Sequence, residues 1–105
     1  MRNMSELRAW VEISVDQLRR NYALINADKP AGLKIAAVLK DDAYGHGAAR
    51  AAQVAVEAGA AFIAVVTLDE ALELRKAGVA APILMLGQRL PSELEECLAH
   101  DLTVC

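Results

Sequence analysis

Aromatic side chains are scarce in this chain of 105 residues: one Trp, two Tyr and one Phe, or 4% of the whole. A core of stacked rings is thereby excluded, and packing falls to Ala, Val, Leu and Ile. Cysteine is nearly as rare. Cys97 and Cys105 cannot form a disulfide framework, and the default setting is a reducing, cytoplasmic compartment. Met1–Arg8 lacks the apolar run of a signal peptide, because Arg2, Glu6 and Arg8 interrupt it. The longest apolar stretch, Ala58–Leu68, falls short of the about 20 residues that span a bilayer. Basic charge is not in excess either. Eleven Lys and Arg stand against fourteen Asp and Glu, a net charge of −3, which argues against nucleic acid or an anionic membrane as a partner. His46, Cys97, His100 and Cys105 lack the close pairing of a zinc site, so no metal is expected.

What is present is apolar: 55% of residues are hydrophobic, which excludes disorder. The length allows one domain, and a compact chain of this mass should expose about 5,700 Å² of the roughly 16,000 Å² of its unfolded form. Trp10-Val-Glu-Ile13 reads as a short strand, with Trp10 or Val11 and Ile13 as packing residues. Ser14-Val-Asp-Gln17 has capping-box form, and Val15, Leu18, Tyr22 and Ile25 give a helix over 15–27. Short apolar runs follow at Ile35–Leu39, Ala61–Val66, Pro82–Leu86 and Leu102–Cys105, as in buried parallel strands. Helical segments separate them: Gly47–Ala58, Leu68–Ala77 behind a Thr67–Glu70 capping box, and Pro91–Ala99. Gly59 and Gly78 fall at helix C′ positions. The class is α/β, built of repeated βα units in a barrel or a doubly wound sheet. No G-x-G-x-x-G follows the first strand, which weakens the second option. Three and a half units are fewer than the eight of a closed barrel. The chain therefore reads as the front part of a longer one.

Polar residues concentrate in Lys40-Asp-Asp-Ala-Tyr-Gly-His-Gly47, directly after the first apolar run. In parallel α/β folds, strand C-termini carry the active site. Lys40 would have a packed stem and an amine beside a semi-buried pocket, the setting of a Schiff-base lysine. Tyr44 could offer a hydroxyl to a phosphate. Gly45 and Gly47 permit a tight turn into a helix whose N-terminus favours anions. Asp41 and Asp42 read as solvated carboxylates at a helix start, and Glu93, Glu95 and Glu96 as a solvated helix face. Cys97 sits on the apolar side of its helix, where a structural thiol belongs.

Residues 37–47, Ala-Val-Leu-Lys-Asp-Asp-Ala-Tyr-Gly-His-Gly, closely resemble the cofactor-lysine motif of the pyridoxal-phosphate-dependent alanine racemases. Trp10–Ile13 with Leu18 and Asn21-Tyr22, Glu57-Ala-Gly59, Leu68–Leu72 and Ala81–Gly87 are similar to further landmarks of that family, in order. The resemblance implies that residues 1–105 are part of its N-terminal (β/α)8 TIM-type barrel domain, about three and a half βα units preceded by a short strand and helix. The rest of the barrel and a β-rich domain would lie beyond these residues. It implies a homodimer that interconverts L- and D-alanine, the latter for bacterial peptidoglycan. Lys40 would bind pyridoxal 5'-phosphate as a Schiff base and act as one racemisation base. Tyr44 would bond the cofactor phosphate, and Val38 and Leu86 would line its pocket. The residue after the lysine is commonly small in that family and is Asp41 here; strand alternation would point it away from Lys40. The family's second base is a tyrosine of the partner's C-terminal domain, which neither Tyr22 nor Tyr44 matches. This stretch alone is therefore expected to be inactive. Two other readings are a noncatalytic pyridoxal-phosphate carrier and a structural half-barrel that self-associates.

Overall fold

The computed structural model describes residues 8–105. Trp10–Ile13 forms no strand there. Among the described residues nothing pairs with it: Val11 is 82% exposed, and the Trp10 indole donates to Glu12 two residues on (3.0 Å). A strand without a neighbour leaves its backbone groups to water, and these residues stay irregular. The Ser14 hydroxyl then accepts the Gln17 N–H (3.1 Å) and starts α1 (Val15–Asp28). Gln17 donates to Asn21 (2.8 Å) instead of reaching back, so half of the capping box forms. Leu18 and Tyr22 pack on the core, and burial pushes the Tyr22 phenol above its ordinary pKa. Ile25, expected on the same face, is exposed instead. An ion pair from Arg19 to Glu57 (3.6 Å) adds to the contact of α1 with the helix before the second strand.

Thereafter strands and helices alternate. They are β1 (Ala36–Val38), a short helical turn α2 (Lys40–Tyr44), α3 (Ala48–Glu57), β2 (Phe62–Val65), α4 (Leu68–Lys76), β3 (Ile83–Met85), α5 (Leu94–Ala99) and β4 (Leu102–Val104). Pro91 opens a 3-10 turn (Pro91–Glu93) that leads into α5. Among the described residues no helix is long and apolar enough to cross a membrane.

The four strands form one parallel sheet in the order β1-β2-β3-β4. Register places Ala37, Ile63, Ile83 and Leu102 in one row, all buried. Strand alternation sends this row and the row of Leu39, Val65 and Met85 toward the helices. There Ala51, Ala52, Ala55, Ala71, Leu74 and Cys97 complete the core. The intervening row, Val38, Ala64, Leu84 and Thr103, turns to the opposite face, where Val38 is 44% exposed. Strand order that never reverses, with the helices packed on one face, describes an open sector of a barrel and not a doubly wound sheet.

Two side chains lock the strands from opposite ends. At the N-terminal end, Arg75 donates to the carbonyls of Val79 (2.8 Å), Ala81 (2.8 Å), His100 (2.9 Å) and Asp101 (3.0 Å). It thereby ties the approaches to β3 and β4 together. At the C-terminal end, the Glu70 carboxylate completes the capping box on α4, accepting from Thr67 N–H (2.8 Å) and Oγ1 (3.1 Å). It also accepts N–H bonds from Val66 (3.1 Å), at the end of β2, and from Asp41 (2.6 Å), just past β1. Burial alone would raise the Glu70 pKa, but the N–H groups of Thr67, Asp41 and Val66 and the Thr67 hydroxyl outweigh it and hold it below its ordinary value.

Replacing Arg75 by Ala leaves four carbonyls without their donor and should cost on the order of 3 kcal/mol in urea unfolding. Arg75→Lys should recover less than half of that, since a point charge cannot span the fork; full recovery by Lys would refute the bridging role. Glu70→Gln should destabilise by about 1–3 kcal/mol at neutral pH. Because the folded pKa of Glu70 is depressed, its contribution is complete above 4.5 and is lost as pH falls through the folded value. The gap between wild type and Glu70→Gln should therefore shrink in acid, and a pH-independent gap would contradict this account.

Candidate functional site

The residues singled out in the sequence lie at the C-terminal edge of the sheet. β1 ends at Val38, and Leu39 N–H still bonds the Ala64 carbonyl (2.8 Å), so the ladder delivers Lys40 to the strand mouth, half-buried. The chain does not continue extended from there. Asp41, Asp42, Ala43 and Tyr44 all lie near φ +54°, making α2 a single left-handed turn. Strand alternation therefore does not decide where Asp41 points. The backbone conformation does, and Asp is among the non-glycine residues that tolerate it best. Left-handed backbone costs about 1–2 kcal/mol per L-residue, and such strain persists only where the surroundings fix it. Here the fixing groups are visible: Ala43 N–H to Leu39 O (3.0 Å), Gly47 N–H to Asp42 O (3.0 Å), and Asp41 N–H to Glu70. Gly45 and Gly47, at φ +88° and +89°, carry the chain out of the turn, where any other residue would be strained.

Asp42 is exposed and stands at a helix start, as its reading as a solvated helix-start carboxylate expects. Its Oδ1 accepts the N–H of Ala48 (2.8 Å) and caps α3. The N-terminus of α3, expected to favour an external anion, is thus occupied in part by the protein's own carboxylate. Glu93 is likewise no free surface charge: it accepts from Leu90 N–H (2.9 Å) and pairs with Arg89 (3.6 Å).

Of the four residues singled out in the sequence, Val38 and Leu86 share the sheet face turned away from the helices. Leu86 lies two residues beyond Leu84, and its N–H bonds Val65 O (2.8 Å). Lys40 stands at the mouth of β1, above Val38. Tyr44 closes the left-handed turn and is 64% exposed, its ring available to a ligand. Val38, Lys40 and Tyr44 thus follow one another at and just past the end of β1, and Leu86 lies just past the end of β3.

Sequence reasoning overlooked Glu70 and Arg89. Glu70 was visible as half of a capping box, but its reach to Asp41 spans 29 residues. Arg89, whose side chain is only 8% exposed, donates to the carbonyls of Val66 (2.6 Å) and Leu86 (3.2 Å) and so binds the outlets of β2 and β3. Its spacing of four from Glu93 was the one available signal.

The chain is 46% identical over 95 residues to the alanine racemase of Geobacillus kaustophilus, covering 90% of this chain and 25% of that protein. It is 45% identical over 96 residues to that of Prochlorococcus marinus, with the same coverage of each. The crystal structure of alanine racemase from Bacillus anthracis with bound L-Ala-P superposes with a TM-score of 0.83 at 41% identity, over 86% of this chain and 23% of that one. Alanine racemase from E. faecalis gives 0.84 at 37% identity, over 88% and 25%. The chain thus spans about a quarter of the length of the relatives it matches. The profile of "Alanine racemase, N-terminal domain" matches residues 13–105, nearly the entire described chain, and the protein belongs to that family.

Proposed function

We propose that these residues are the lysine-bearing part of a pyridoxal 5'-phosphate-dependent enzyme that interconverts L- and D-alanine. The observation that carries the reading is Lys40, held at the mouth of β1 by a strained left-handed turn that Glu70 pins. The side chains fit such a group in kind: a primary amine for an aldehyde, a phenol for a phosphate, and Val38 and Leu86 for an aromatic ring. The cofactor supplies an electron sink that acidifies the substrate's α C–H bond. Lys40 would hold the aldehyde end of the group through Nζ and, on its own side of the substrate, would serve as the base that moves a proton at the α-carbon. Tyr44 donates its hydroxyl to the phosphate. Val38 and Leu86 exclude water from one flank of the ring, and Arg89 fixes the Leu86 backbone. The base for the opposite face lies outside these residues, and so does a pyridine-nitrogen partner. The working form is a homodimer of the longer protein, in the cytoplasm, where the unpaired Cys97 and Cys105 suit a reducing medium.

Reduction with borohydride in the presence of pyridoxal phosphate, followed by peptide mass mapping, should place the adduct on Lys40 and not on Lys29, Lys34 or Lys76. Equal labelling of all four, or labelling undiminished in Lys40→Ala, would dismiss the assignment. L-Alanine incubated with this chain and the cofactor should keep its handedness; detectable D-alanine would show that the second base is already here.

A further inference from the structure

Lys40 lies between two peptide planes, and a hydrogen bond holds each of them. The Leu39–Lys40 plane offers its carbonyl to Ala43 N–H (3.0 Å), a bond inside the turn. The Lys40–Asp41 plane offers its N–H to Glu70 Oε2 (2.6 Å), 29 residues along the chain and on α4. Because a peptide is planar, fixing both planes fixes φ and ψ of Lys40, and with them the direction of its Cα–Cβ bond. The first bond travels with the turn. The second ties the turn to the head of α4 and so to the outlet of β2.

The two Glu70 oxygens divide their partners. Oε1 accepts Thr67 N–H (2.8 Å), Thr67 Oγ1 (3.1 Å) and Val66 N–H (3.1 Å), the helix cap and the strand end. Among the described residues Oε2 accepts from Asp41 N–H alone. Held below its ordinary pKa, the carboxylate stays ionised at neutral pH and keeps both oxygens as acceptors. An amide in its place would keep three bonds by turning its oxygen to the cap, and would then set its own NH2 against Asp41 N–H.

We propose that Glu70 is a positioning residue for Lys40: through Oε2 and the Asp41 N–H it sets where the amine stands, while Oε1 serves the fold. The inference rests on the reading of Lys40 as the aldehyde-binding lysine, and it gives Glu70 no contact with cofactor or substrate. Without the Oε2 bond the Lys40–Asp41 plane can rotate, and the amine loses its fixed approach to an aldehyde at the strand mouth.

The test uses the longer protein to which these residues belong. Glu70→Gln should speed hydrogen exchange at the Asp41 amide by about tenfold or more. It should also weaken binding of pyridoxal phosphate, read from the borohydride-trapped Lys40 adduct, by about tenfold, as for a lost bond to a charged group. Thr67→Val removes the cap hydroxyl and should lower the urea midpoint. It should leave the Asp41 amide and the affinity unchanged, because the Val66 and Thr67 N–H groups still hold the carboxylate. Wild-type affinity or an unshifted Asp41 amide in Glu70→Gln, or an equal loss of affinity in Thr67→Val, would overturn the inference and leave the lysine assignment standing. A wild-type adduct on a residue other than Lys40 would overturn both. Should Glu70→Gln fail to fold, an ester in place of the 40–41 amide removes the donor and spares the carboxylate; affinity unaltered by the ester would equally refute the role.

Discussion

One carboxylate organises the chemical end of this molecule. Glu70 accepts from the end of β2, from the start of its own helix and from the first residue past Lys40. Three stretches of chain that the sheet ladder only brings near each other are fixed there to hydrogen-bond tolerance. A carboxylate suits the task because it offers several acceptor sites and no donor, while every neighbour is an N–H or O–H. The depressed pKa of Glu70 is the same fact expressed as proton affinity. Without it, the left-handed turn would lose the side-chain contact that holds the N–H of its first left-handed residue, the one beside the lysine.

The two arginines show how differently the two ends of a βα sheet are treated. Arg75 gathers four backbone carbonyls with no carboxylate partner among the described residues, and its charge is offset by carbonyl dipoles, two of them at the C-terminal end of α5. That arrangement is purely architectural. Arg89 binds two carbonyls at the opposite end and keeps an ion pair with Glu93, so the outlets of β2 and β3 are set beside the site. The same residue type thus ties strand approaches at one end of the sheet and strand outlets at the other.

Much of this was legible in the residues. The four apolar runs became the four strands, and the Thr67–Glu70 box formed with both of its bonds, because each signal is local and backed by burial. Lys40 was legible because a charge ending an apolar run stands out. Trp10–Ile13 misled because alternation promises a strand only where a neighbour exists to pair with it. Ile25 misled because helical spacing names a face without saying what covers it. The turn after Lys40 was invisible for a different reason. Asp, Ala and Tyr carry no strong left-handed signal, and the conformation is imposed by contacts from residues far along the chain.

That turn bears on the order in which the molecule is made. Its backbone is the mirror image of an ordinary helix, so no local preference nucleates it in the nascent polypeptide. Its anchors, the β1–β2 ladder at Leu39 and the carboxylate on α4, exist only once residues some thirty positions downstream have docked. Lys40, at the head of that turn, is consequently among the last residues to reach its folded position. The position of the strand mouth is thus a property of the assembled sheet and not of the local sequence.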